Sequence, residues 1–305
     1  MACHSRRHLC RLVPSGLTGH VLLDSAGHEL ADSGIGDALA ETRILLASAL
    51  GLPLSRLDLQ LGDPVAPDAA RRFERLVRER ATRRPLAYVI GHTEFMGLRF
   101  RCDPRALVPR PETEVLVEEV RQRLAQVDET GLLLDVGAGT GAIGLSLASG
   151  TSGMPAILTD VSPEALALAR ENAEALGLGR VRFLLGPGLE PVVTAGLAEQ
   201  VTCLVCNPPY IAPRDVSSLP PEVALHEPSI AWQGEGEQGM GLYERIMPQC
   251  PARLPGLQLV AFEVGLGQAG RVAALCREAW PAWIVSVIKD LNGIDRVIIA
   301  EPLSG

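Results

Sequence analysis

Leu132-Leu133-Leu134-Asp135-Val136-Gly137-Ala138-Gly139-Thr140-Gly141-Ala142-Ile143-Gly144 is the stretch on which the fold turns. Its first five residues read as a buried strand, and the glycines that follow let a nucleotide approach the backbone while a helix starts beneath it. A second apolar run, Ala156-Ile157-Leu158-Thr159, ends in Asp160. That carboxylate stands about twenty residues past the glycine loop, where an adjacent strand tip can accept hydrogen bonds from both hydroxyls of a ribose. Ser162 then caps a helix with Pro163 at its first position and Gly177 at its end. Together these residues predict one βαβ unit holding an adenosine-containing cofactor.

Working outward, further strands are predicted over 181–185, 201–206, 257–264, 283–288 and 296–300, giving seven with the two above. The last two are joined by the tight Lys289-Asp290-Leu291-Asn292-Gly293 connection. An α/β doubly wound sheet finishing in an antiparallel hairpin is therefore expected. A dinucleotide-binding sheet usually stays parallel, so this ending favours S-adenosylmethionine over NAD, as does G-x-G-x-G in place of G-x-G-x-x-G.

The strand over 201–206 stops abruptly in Asn207-Pro208-Pro209-Tyr210. Proline lacks an N–H and fixes φ, so the backbone there is stiff. Asn207 offers a side-chain carbonyl, Pro208 a backbone carbonyl and Tyr210 an aromatic face. Two acceptors and a flat ring suit a planar NH2 group, either an amide or an exocyclic amine. In isolation Asn-Pro-Pro reads equally well as a tight turn; the upstream glycine loop tips the reading towards a site. The catalytic candidates are Asn207, Pro208 and Tyr210, with Pro209 joining them in substrate binding.

Composition narrows the class. Hydrophobic residues make up 47% of 305 and charged residues 21%, but 31 glycines and 23 prolines interrupt every apolar run, so no transmembrane helix is expected. Net charge is −8 and no basic cluster lies beside an aromatic stripe, which argues against direct nucleic-acid binding. Lys289 is the only lysine, which excludes Schiff-base chemistry at the glycine loop. The seven scattered cysteines suggest free thiols in a reducing, cytoplasmic setting. Cys203 and Cys206 form a C-x-x-C, yet within a strand they face opposite ways, and no metal is expected. A monomer is expected.

In chain order, residues 1–28 read as a disordered extension in preference to a transit peptide, and 29–90 as a small helical domain that docks the substrate. Helices are expected from Asp37 to the Gly51 stop and from Pro67, with Phe73, Leu76 and Val77 inward. A hairpin linker, including an extended Tyr88-Val89-Ile90, leads through 91–111 to the cofactor domain at 112–305.

With these residues in place, the chain from about Gly34 to Ala300 resembles the glutamine N5-methyltransferases that modify peptide-chain release factors. The marks are Pro85-Leu86-Ala87-Tyr88-Val89-Ile90-Gly91, Glu94-Phe95-x-Gly97-Leu98-x-Phe100, Pro109-Arg110-Pro111-Glu112-Thr113-Glu114 and the glycine loop. Asn207-Pro208-Pro209-Tyr210-Ile211, His226-Glu227-Pro228 and Asp290-Leu291-x-Gly293-x-Asp295-Arg296 complete them. The resemblance implies a Rossmann-like, seven-stranded class I methyltransferase sheet behind a helical domain and a hairpin. It implies S-adenosylmethionine on Asp135, Gly137, Ala138, Gly139, Thr140, Gly141, Asp160, Gly188 and Asn207. It also implies the glutamine amide of a Gly-Gly-Gln loop, within a release factor active in translation termination, on Asn207, Pro208, Pro209 and Tyr210.

The chain departs from the family in three places. Gly186-Pro187-Gly188-Leu189 stands where an acidic or aromatic residue is usual, Pro248 and Pro251 should kink or shorten the helix before the fifth strand, and residues 1 to about 18 have no family counterpart. The rival readings are a ribosomal-protein glutamine methyltransferase, an adenine-N6 DNA methyltransferase, an NAD oxidoreductase and a non-catalytic binding module. Pro-Glu-Thr-Glu after Arg110 favours the release-factor branch, and the negative charge disfavours DNA.

Overall fold

The structure, a computed structural model, describes residues 17–128, 130–150 and 154–303. The chain divides into two compact units, one ending at Ile90 and the other starting at Gly91.

The first unit packs helices α1 (Gly19–Asp32), α2 (Ala38–Leu50), α3 (Pro67–Ala81) and α4 (Leu86–Ile90), with a 3-10 turn at Leu54–Gln60. Gly51 ends α2 in the left-handed conformation with φ 69°, as a helix stop requires. Phe73 and Val77 of α3 are buried, with Leu76 packed at the edge of the same core. Two expectations need correction. The predicted extension over 1–28 falls partly outside the described residues, but α1 occupies its second half. Gly19, Leu22, Leu23, Ala26 and Leu30 form a buried stripe at helical spacing, and a Cβ on Gly19 would lie 2.9 Å from Leu61 Cδ2. The extended reading of Tyr88-Val89-Ile90 also fails. Pro85 opens a helical turn there, its carbonyl accepting from the N–H groups of Tyr88 and Val89, and burial of both side chains outweighs their β preference.

The second unit begins with the hairpin β1 (His92–Phe95) and β2 (Leu98–Arg101) and helix α5 (Glu114–Leu124). It then alternates β3 (Leu132–Val136), α6 (Ala142–Ala148), β4 (Ala156–Asp160), α7 (Pro163–Ala175), β5 (Arg182–Leu185), α8 (Glu190–Thr194) and β6 (Val201–Cys206). After α9 (Pro221–His226), α10 (Gly241–Ile246) and α11 (Cys250–Arg253) come β7 (Leu259–Glu263), α12 (Ala269–Ala279), β8 (Trp283–Lys289) and β9 (Asp295–Pro302). All seven predicted strands join one sheet in the order β5-β4-β3-β6-β7-β9-β8, parallel except for β9, which runs antiparallel between β7 and β8. The segment around Pro248 is broken into α10, a 3-10 turn at Met247–Gln249 and α11, as a ring without an N–H dictates.

Both faces of the central strands β3, β4, β6 and β7 are covered, which is why these strands are almost continuously apolar. Leu134, Leu204, Cys206, Val260 and Phe262 enter one core, while Leu133, Cys203, Val205, Leu259 and Ala261 enter the other. Cys203 and Cys206 thus point to opposite faces, and burial raises both thiol pKa values, so neither is a ready nucleophile. Register aligns the carboxyl ends of β4, β3 and β6, pairing Val136 with Thr159 on one side and Cys206 on the other. The chain reverses its winding at β3, and a crevice opens above that point. No single helix among the described residues is long and apolar enough to cross a membrane.

Candidate active site

A cavity of about 620 Å³ occupies this crevice. Its floor is the glycine loop after β3, held by backbone contacts. The N–H groups of Gly137 and Ala138 both donate to the Thr159 carbonyl at 2.9 Å, and Gly139 N–H donates to Asp160 Oδ2 at 2.9 Å. Gly137 and Gly139 adopt φ of 75° and 57°, which side chains rarely tolerate. Asn172, on α7 and fully buried, pins the loop from behind by donating to the Thr140 carbonyl at 2.9 Å while accepting from Arg101 N–H at 2.7 Å. Sequence reasoning missed this residue, because a buried amide on a helix has no motif of its own.

Asp160 reaches the cavity wall with Oδ1 also taking the Ser162 N–H at 2.9 Å. Burial raises its carboxyl pKa, and the N–H groups of Ser162, Gly139 and Val161 partly offset that rise. Ser162 Oγ accepts from Ala165 N–H at 3.0 Å, so the helix cap is filled by serine and Asp160 keeps lone pairs for a ligand. Gly186, Pro187 and Gly188 supply the next wall, with Gly186 N–H donating to the Asp160 carbonyl at 2.9 Å. Here backbone and a proline ring replace the side chain expected after the third strand.

Of the sequence candidates, Gly137, Ala138, Gly139, Thr140, Asp160, Gly188, Asn207 and Pro209 line the cavity. Asp135, Gly141, Pro208 and Tyr210 do not. Asp135 is fully buried under the loop, where Oδ2 takes the Gly144 N–H at 2.9 Å; it starts α6 and is out of reach of a ligand in the cavity. A Cβ on Gly144 would sit 2.8 Å from that same oxygen. Gly141, at φ 82°, precedes α6, and its missing Cβ spares Leu145 and Leu158. Tyr210 turns behind the strand end, its hydroxyl donating to Glu263 Oε1 at 3.3 Å and its carbonyl accepting from Gln268 Nε2 at 3.0 Å. Pro208 is buried, and among the described residues its carbonyl takes no backbone hydrogen bond.

Asn207 lines the cavity beyond the tip of β6, with its Nδ2 donating to Thr113 Oγ1 at 3.4 Å. Its side-chain carbonyl is the end left to accept. The front wall comes from residues whose roles were not predicted. Arg110 Nη2 donates to the fully buried Glu227 Oε2 at 2.5 Å, tying the Pro-Arg-Pro-Glu-Thr-Glu segment to His-Glu-Pro. Burial raises the Glu227 pKa, against the opposing pull of Arg110 and the Val108 N–H.

Burial pushes the Asp135 carboxyl up to about 7, opposed by the Gly144 N–H and reinforced by Asp160. Between its ordinary value of 3.8 and about 7, the folded chain keeps a proton that the unfolded chain has lost. Stability from this group is therefore full at low pH and falls as pH rises through that window, by up to about 1.4 kcal/mol per unit. Wild-type urea stability is expected to drop relative to Asp135→Asn between about pH 4 and about pH 7 and to level off above that window. A constant difference between the two proteins would mean that Asp135 is ionised throughout.

Comparison with known proteins gives the chain its relatives. The family model described as PrmC N-terminal domain matches residues 22–91, and that of the methyltransferase small domain matches 111–220. The chain is 40% identical over 281 residues to the release factor glutamine methyltransferase of Cereibacter sphaeroides, covering 92% of this chain and 96% of that protein. It is 39% identical to the protein of the same name from Moorella thermoacetica, over 91% of this chain and 96% of the relative. For the Deinococcus radiodurans protein of that name the figures are 37%, 93% and 98%. Among solved structures, the catalytic domain of hMettl16 in complex with a MAT2A 3'UTR hairpin superposes with a TM-score of 0.54 over 75% of this chain and 82% of that one. At 16% identity that likeness concerns the fold alone.

Proposed function

This chain belongs to the release factor glutamine methyltransferase family, and from that premise we propose that it methylates the side-chain amide nitrogen of the glutamine in a release factor's Gly-Gly-Gln loop. The observation that carries the proposal is Asn207, a carbonyl acceptor at the wall of a cavity whose floor and far side suit an adenosyl group. The cofactor is S-adenosylmethionine. Asp160 offers acceptors for ribose hydroxyls, Gly137 to Thr140 give a floor of backbone, and about 620 Å³ suffices for an adenosyl group and a side-chain amide together.

S-adenosylmethionine, when bound, supplies an electrophilic methyl group. An amide nitrogen is a poor nucleophile because its lone pair is delocalised into the carbonyl. The Asn207 side-chain carbonyl at the cavity wall would accept one N–H of the substrate amide. Pro208 is buried and does not itself line the cavity, but its backbone carbonyl, which takes no backbone hydrogen bond among the described residues, is the adjacent acceptor proposed for the other N–H. The lone pair would then turn towards the methyl carbon. Both dipoles also favour the positive charge that develops on nitrogen as the N–C bond forms and the C–S bond breaks. A proton leaves the nitrogen afterwards. Positioning and electrostatics carry the rate, and no acidic or basic side chain is needed before transfer. Tyr210 supports the turn through Glu263. The helical first unit docks the protein substrate, and the reaction serves translation termination in the cytoplasm, a setting in keeping with the free thiols of Cys102, Cys203, Cys206, Cys250 and Cys276.

The test is mass spectrometry of a release factor and of a short Gly-Gly-Gln peptide after incubation with enzyme and S-adenosylmethionine. One methylene of added mass is expected on that glutamine, and none when it is replaced by alanine. A chain lacking the helical unit should lose far more activity on the folded factor than on the peptide. Methylation of adenine in duplex DNA, with the factor untouched, would sink the assignment.

A further inference from the structure

Asn207 poses a problem of polarity. Its amide can turn end for end with almost no change of shape, and turned the wrong way it would present an NH2 group to the NH2 of a substrate amide, two donors face to face. Something must fix which end points at the cavity. The neighbouring acceptor is Thr113, buried at the close of the 3-10 turn Pro111–Thr113. A hydroxyl can donate or accept, so Thr113 fixes Asn207 only if Thr113 is itself oriented.

The acceptor that would give that orientation is Glu263. It ends β7 with 1% of its surface exposed, and an ionised carboxylate can only accept. Tyr210 Oη donates to its Oε1 at 3.3 Å, while Oε2 is buried without a hydrogen-bond partner among the described residues. Burial raises this carboxyl's pKa; the Thr113 hydroxyl, the Arg296 guanidinium and the Tyr210 hydroxyl oppose the rise. Arg296 is held for that task. Its Nη2 and Nε donate to Asp290 Oδ2 at 3.2 and 3.3 Å, and its Nη1 donates to the Val264 carbonyl at 3.3 Å.

We propose that Thr113 is a positioning residue: with its hydroxyl hydrogen turned to the Glu263 carboxylate, it takes the Asn207 side-chain N–H and so holds the Asn207 carbonyl towards the reacting nitrogen. The chain of donors runs one way, from Asn207 to Thr113 to Glu263; Thr113 borders the cavity and acts through Asn207, and Glu263 lies outside the cavity lining. The inference rests on the glutamine methyltransferase reading for its meaning, but its geometry can be tested separately.

In the full-length enzyme, Thr113→Val keeps the shape and removes the hydroxyl. It is expected to lower kcat by about 10²-fold, as misplacement of a reacting group does, with cofactor Kd and release-factor KM within about twofold. Thr113→Ser should restore most of the rate. Because Thr113 acts through Asn207, Thr113→Val should cost nothing further in an Asn207→Ala background. Glu263→Gln, which can offer Thr113 a donor as well as an acceptor, should lower kcat by about tenfold and add nothing to Thr113→Val. Independently of turnover, the side-chain amide resonances of Asn207, assigned by their loss in Asn207→Ala, should shift in Thr113→Val and return in Thr113→Ser. Unmoved resonances, or losses that multiply in the double variants, overturn the proposal. If the resonances behave as expected while the wild type leaves glutamine unmethylated, the positioning geometry stands and the functional reading falls.

Discussion

Asn207→Ala is expected to slow methyl transfer by ~10²–10³, about 2.7–4 kcal/mol, while S-adenosylmethionine affinity stays close to wild type. The separation follows from where the group acts. In the proposed site the floor and ribose contacts would come from the glycine loop and Asp160, whose hydrogen bonds run to each other and to the β4 end without involving Asn207. Asn207 contributes its carbonyl only when a substrate amide is present, and most strongly when nitrogen gains positive charge. An interaction made mainly in the transition state lowers kcat and kcat/KM together. Truncation also leaves Thr113 without its donor, but that hydroxyl borders a cavity that water can enter, so the fold should survive. Rapid-quench measurement of the transfer step beside calorimetric titration of the cofactor separates the two quantities. A wild-type transfer rate would remove Asn207 from the chemistry, and a large loss of cofactor affinity would reassign it to the cofactor wall.

The sheet was legible because strands buried on both faces are continuously apolar and because the glycine loop and Asp160 have the spacing of a nucleotide-binding βαβ unit. Helix α1 was equally legible in principle, since Gly19, Leu22, Leu23, Ala26 and Leu30 repeat at helical spacing. It was missed because the arginines and histidines ahead of it drew the reading towards an unfolded extension. The strand tip at 206 was read correctly, but side-chain direction beyond it was not. Two prolines reset the alternation, so Tyr210 points back to Glu263 and not into the cavity. The family resemblance implies a cofactor contact for Asp135, whereas the fold buries it beneath the loop with its Oδ2 on the Gly144 N–H. The front wall could not be read at all. Arg110 and Glu227 lie 117 residues apart and meet only when the sheet closes, and no periodicity carries that information.

Asp160→Ala is expected to weaken S-adenosylmethionine by about 1.5–3 kcal/mol, roughly 10- to 150-fold in Kd. Two effects add. The carboxylate is a charged acceptor at the cavity wall, and hydrogen bonds to a charged group exceed those between neutral partners. Its Oδ2 also restrains the Gly139 N–H, so truncation loosens the floor on which an adenosyl group would lie. Asp160→Asn discriminates between these parts. It keeps one acceptor, but its NH2 end must face the N–H of either Gly139 or Ser162, so one loop contact becomes repulsive. The pH dependence has a definite sign. Burial raises the Asp160 pKa above its ordinary 3.8, and the ionised form is the better acceptor. Cofactor affinity should therefore decline on acidification, starting above the ordinary carboxylate range, and this decline should vanish in Asp160→Ala. Calorimetry across pH on both proteins measures it. An unchanged Kd in Asp160→Ala, with urea stability reduced, would leave Asp160 a loop restraint and place the ribose acceptors elsewhere along Gly186 to Gly188.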